Sequence, residues 1–89
     1  MRIHGISKDW FKLWYEDKQS VLRAMRNNMK SDIDAGYNIR GACIMTQKRS
    51  IEEYEKTLSD IAELFKTMNE KEIQRWCFYD MIKRGSIEL

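Results

Sequence analysis

Catalysis in this chain would have to come from His4, from the thiols of Cys43 and Cys77, or from the carboxylates that crowd its second half. His4 is the only histidine, and no Ser and Asp accompany it at a spacing that would build a nucleophile, base and orienting acid. Cys43 lies near Arg40 and Lys48, but apolar residues at helical spacing flank it, so it reads as a core or interface thiol and not as an activated nucleophile. Glu52, Glu53, Glu55, Asp60 and Glu63 offer metal oxygens without a calcium-loop glycine or a Glu-x-x-His pair, and they read as a solvated helix face. Gly36 and Gly41 are separated by Tyr-Asn-Ile-Arg with no Lys-Ser or Lys-Thr following, which is a turn and not a phosphate cradle. The expectation is a non-enzymatic protein with no metal and no cofactor.

Binding is the chemistry that the residues favour. From Lys18 to Arg49 there are seven basic residues against Asp32 and Asp34, whereas Ser50 to Asp80 holds eight acidic against four basic. Arg23, Arg26, Lys30, Arg40, Lys48 and Arg49, with Tyr37 and Asn38 among them, form a candidate partner-binding group, because cations and an aromatic suit either an acidic protein groove or phosphates. Trp76, Phe78 and Tyr79 point around a whole helical turn, so they cannot all face one core, and Phe78 and Tyr79 join the candidate surface.

The elements that must position these residues follow from periodicity. The chain has 89 residues, 43% of them hydrophobic and 34% charged, which suits one folded domain over residues 1–89 with a single core. Proline is absent, so long helices are the natural reading. Ser7 is the expected cap of a first helix over about residues 8–35, whose apolar stripe runs through Phe11, Tyr15, Leu22, Met25, Met29 and Ile33, widened by Trp10, Trp14 and Val21. Lys18 interrupts that stripe, with a stem able to lie along apolar surface.

Gly36 supplies the stop and Tyr37-Asn38 the turn. A second helix is expected over about residues 40–68, where Ile44, Ile51, Leu58 and Phe65 repeat at seven, and Tyr54, Ile61 and Met68 follow three behind, a coiled-coil-like seam with Gln47 as its polar member. Asn69 followed by Glu72 announces a third helix over about residues 70–84, stopped by Gly85. The short connection makes the first two helices antiparallel. The expected fold is all-α: a hairpin of two long helices plus a shorter third, a three-helix bundle.

The run Trp76-Cys77-Phe78-Tyr79-Asp80-Met81-Ile82-Lys83-Arg84-Gly85, with Asp34-Ala35-Gly36-Tyr37 and Gly41-Ala42, resembles short uncharacterised helical proteins carried by phages and mobile elements of Gram-positive bacteria. The resemblance implies an accessory protein in the cytoplasm of a bacterial host, of the kind that inhibits a nucleic-acid-handling defence enzyme, and it assigns no functional residue. A small DNA- or RNA-binding regulator and a homodimeric assembly protein are the alternative readings. No window approaches the roughly 20 apolar residues that a membrane span needs.

Overall fold

The computed structural model describes residues 9–87. Three helices are present, α1 (Trp10–Asp34), α2 (Ala42–Phe65) and α3 (Glu70–Lys83), and among the described residues there is no strand. The described residues gather into two compact units. One holds those up to Lys18 and from Glu63 onward, and the other is Gln19–Ala62.

Ser7, the expected cap of α1, lies outside the described residues. Asp9 takes that role: its Oδ1 accepts the Lys12 amide at 2.9 Å, which satisfies one of the orphan N–H groups of the first turn. α1 ends in a Schellman motif, with the Gly36 amide donating to the Ile33 carbonyl and the Tyr37 amide to that of Asp32, both at 3.0 Å. The motif needs a left-handed residue, and Gly36 sits at φ +102°. α3 closes in the same way, with Gly85 at φ +75° and its amide on the Ile82 carbonyl.

α2 stops at Phe65, three residues short of the expected Met68. Lys66, Thr67 and Met68 donate instead to the carbonyls three residues back, tightening the chain into turns before α3. Asn69 then caps α3: its Oδ1 accepts the Glu72 amide at 2.9 Å and its Nδ2 donates to Glu72 Oε1 at 2.8 Å. This is a side-chain variant of the capping box, since the glutamate returns to the cap's amide group and not to its backbone N–H.

In the unit Gln19–Ala62, α1 and α2 run antiparallel. Arg26 pairs with Glu55, and Gln47 Nε2 donates to Asp32 Oδ2 at 2.7 Å, so α2 retreats as α1 advances. Leu22, Ile44 and Ile51 are its buried centre, with Met25, Met29, Ile33, Tyr54, Leu58 and Ile61 half-buried around them. Gln47, the polar member of the seam, is thus answered by Asp32.

In the other unit all three helices meet. Trp14 of α1, Phe65 of α2 and Trp76 of α3 stand edge to face, their ring centroids 5.4–5.7 Å apart. Trp10 packs on Phe78 at 4.7 Å, and Cys77 and Met81 fill the α3 side of this core. The centre of the α1 stripe is therefore Trp10, Trp14, Lys18 and Leu22; Phe11, Tyr15 and Val21, expected on the stripe, are exposed at its edges.

Candidate functional site

The least expected group in the molecule is Lys18, which is only 5% exposed. Its Nζ lies 3.3 Å from Asp17 Oδ2, 3.7 Å from Asp80 Oδ2 and 5.9 Å from the centre of the Trp14 ring. Asp80 Oδ2 also accepts the Trp14 indole N–H at 2.8 Å, and Oδ1 accepts Arg84 Nε at 3.1 Å. Burial would raise the Asp80 carboxyl, but the bonds from Trp14 and Arg84 and the charges of Arg84 and Lys18 outweigh it and hold the group below its usual value.

A carboxylate so held is a weak base, and both of its oxygens are already engaged. Lys18 is equally committed. The cluster fixes where α3 sits on α1 and offers no group for catalysis. A buried ion pair of this kind sets register more than it adds stability, because desolvation offsets most of its attraction.

The two thiols differ. Cys77 has no exposed surface, and burial, with the negative charges of Asp80 and Asp9, pushes its pKa up to about 12. Cys43 is exposed, which removes the core alternative of the expected core or interface thiol, and its sulfur accepts from Gln47 Nε2 at 3.4 Å. With a disulfide-exchange reagent at neutral pH, one thiol equivalent is expected to react at once and the second only after denaturant is added. Two fast equivalents would show that Cys77 is open to solvent. Among the described residues no group of three or more His, Cys, Asp or Glu could hold a metal ion, and no helix is long and apolar enough to cross a membrane.

The expected binding residues divide between the units. Arg23, Arg26, Lys30, Tyr37, Asn38, Arg40, Lys48 and Arg49 belong to Gln19–Ala62, whereas Phe78 and Tyr79 belong to the three-helix unit. Three of them are less available than expected. Arg26 is paired with Glu55, the Asn38 side chain accepts the Arg40 amide at 3.0 Å to shape the turn, and Phe78 is half-buried against Trp10.

Arg23, Lys30, Arg40, Lys48 and Arg49 are exposed, and among the described residues none forms an ion pair. Beside them three apolar side chains face water: Tyr37 at 54%, Ile39 at 62% and Met45 at 50% exposure. The exposure of Ile39 and Met45 is not readable from the sequence, where an apolar residue near a helix start reads by default as core. On α3, Arg75 and Lys83 are exposed with Tyr79, at four-residue spacing from it, a pattern already present in the sequence.

Comparison with protein-family models, with curated proteins and with solved structures finds no match to this chain.

Proposed function

We propose that the chain is a non-enzymatic protein-binding module that meets an acidic face of its partner with the turn between α1 and α2 and the first turns of α2. One observation carries this reading: Tyr37, Ile39 and Met45 are exposed in the same short stretch as Arg40, Lys48 and Arg49. Tyrosine, methionine and arginine are enriched where proteins bind proteins, and apolar side chains left in water gain most from being covered.

The same charges favour a protein over a nucleic acid. Glu52 and Glu53 lie one helical turn beyond Lys48 and Arg49, where they would repel the continuous negative charge of a phosphate chain, whereas an acidic patch on a protein can end short of them. In the setting that the phage resemblance implies, the partner is a nucleic-acid-handling defence enzyme of the bacterial host, met in the cytoplasm. The nucleic-acid channel of such an enzyme is itself basic, so contact falls on an acidic face outside it.

The test is capture of the host partner by the wild-type chain and by the variant Tyr37→Ser/Ile39→Ser/Met45→Ser, with helicity checked by circular dichroism. Loss of at least about tenfold in affinity is expected of the variant, since interface aromatics and their neighbours carry most of the binding energy. Equal affinity sinks the assignment of this surface. Salt-sensitive binding of duplex DNA or RNA in a gel shift, abolished by Arg23→Glu/Arg26→Glu/Lys30→Glu, would replace the protein partner with phosphates.

A further inference from the structure

We infer that the outward face of α3 is a second docking surface, independent of the turn, on which Arg75, Tyr79 and Lys83 receive an acidic amphipathic helix of a protein partner. α3 turns Cys77 and Met81 inward. At 100° per residue, Arg75, Tyr79 and Lys83 lie on the opposite side, spaced four residues apart, and all three are exposed. Tyr79 is 60% exposed, more than Tyr15 or Tyr37. Its ring leans on Phe78 at 5.5 Å, and Phe78 leans on Trp10 at 4.7 Å, so a row of rings runs from the core to this surface and limits the freedom that Tyr79 loses on binding.

The nearest carboxylates on α3 are turned to other partners. Glu72 accepts from Asn69, and Asp80 holds Trp14, Arg84 and Lys18. Among the described residues neither Arg75 nor Lys83 forms an ion pair, which leaves an aromatic ring between two cations that no carboxylate contacts.

The spacing selects the occupant. Each four-residue step along a helix rises about 6 Å, so the cations stand about 12 Å apart with the ring midway. A partner helix with carboxylates eight residues apart and an apolar residue at the midpoint repeats that spacing, since both helices have the same rise. A nucleic acid fits less well. Affinity for a polyanion grows with the number of phosphates neutralised, and this face offers two cations, enough for two carboxylates but few for a phosphate chain.

The probe is a synthetic alanine-rich helical peptide carrying Glu, Leu and Glu at four-residue spacing, titrated into the full chain and followed by NMR. Shifts confined to the Arg75, Trp76, Tyr79 and Lys83 resonances are expected, with affinity falling at least about tenfold in Tyr79→Ser, a substitution on the solvent side. The peptide with Lys in place of Glu should bind only the Arg75→Glu/Lys83→Glu variant, and that restored binding also shows that the variant is folded. Absence of shifts at about 1 mM peptide, equal binding of both peptides, or preference for a single-stranded oligonucleotide would each overturn the inference. The turn variant Tyr37→Ser/Ile39→Ser/Met45→Ser should bind the peptide as the wild type does, so failure here is separable from failure of the turn surface.

Discussion

Asp80→Ala is expected to lower the melting temperature by about 15 °C or more, measured by circular dichroism. The substitution leaves the Lys18 ammonium buried with only Asp17 beside it and removes the acceptor of the Trp14 indole N–H. Breaking one side of a buried pair costs about 3–5 kcal/mol, and each kcal/mol moves the melting point of a domain this size by roughly 4–8 °C. Lys18→Met separates charge from packing. Methionine fills a similar volume, and Asp80 keeps Trp14 and Arg84, so stability should change by no more than about 1 kcal/mol in either direction. If Lys18→Met were as damaging as Asp80→Ala, the lysine charge itself would be what holds α3.

The sign of the pH dependence checks the same cluster. Asp80 titrates lower in the folded chain than unfolded, so its contribution is present above the usual carboxylate range and is lost as pH falls through its folded value. Asp9, held down first by the Lys12 amide and then by Gln74, acts in the same direction at the surface. Between about pH 5 and about pH 3 the wild type should lose more stability than Asp80→Ala. At the alkaline end the sign reverses in origin: Cys77 stays protonated to about 12 when folded, whereas the unfolded thiol ionises near 9.0, so stability falls as pH rises above that point.

Much of the architecture was legible because it is local. Gly36 and Gly85 stop helices through their own conformational freedom, Asn69 caps α3 through a residue three positions on, and the seven-residue spacing of Ile44 and Ile51 places both in the core. What escaped depends on residues far apart in the chain. Lys18 is the one charge on the apolar face of α1, and Asp80 the one charge in the run from Trp76 to Ile82, a hint that the two belong together, but sequence spacing cannot join positions that only folding brings within 3.7 Å. The pairing of Arg26 with Glu55 was hidden for the same reason, and it takes one cation out of the expected binding surface.

The start of α1 was misjudged for a different reason. Trp10, Phe11, Leu13, Trp14 and Tyr15 are apolar around most of the helix, so periodicity alone could not rank them. The partners decide: Phe65 and Trp76 take Trp14, and Phe78 takes Trp10, which leaves Leu13 and Tyr15 at the surface and Phe11 at the rim, exposed but edge to face with Phe65 at 5.9 Å. Sequence can nominate candidate binding residues by type but not by availability, because the exposure of Ile39, Met45 and Tyr79 depends on what the neighbouring helices leave uncovered.

Trp14→Ala should be the most damaging single substitution in the three-helix unit. Trp14 touches rings from α2 and α3, lies beside Phe11, and donates to Asp80, so truncation removes the one side chain common to the aromatic core and the polar cluster. Burying nothing in its place costs about 3–5 kcal/mol, which approaches the whole stability of a small domain. The near-ultraviolet circular dichroism of the remaining tryptophans is therefore expected to collapse at 25 °C, together with part of the helical signal. Trp14→Phe keeps a ring against Phe65 and Trp76 but leaves Asp80 Oδ2 without its N–H donor, so about 1–3 kcal/mol should be lost and the near-ultraviolet signal retained. The gap between the two variants measures how far α3 is held by ring packing and how far by the bond to Asp80. If Trp14→Ala melted within a few degrees of the wild type, neither would be holding it, and the contacts that bind α3 would have to be sought at Cys77 and Met81.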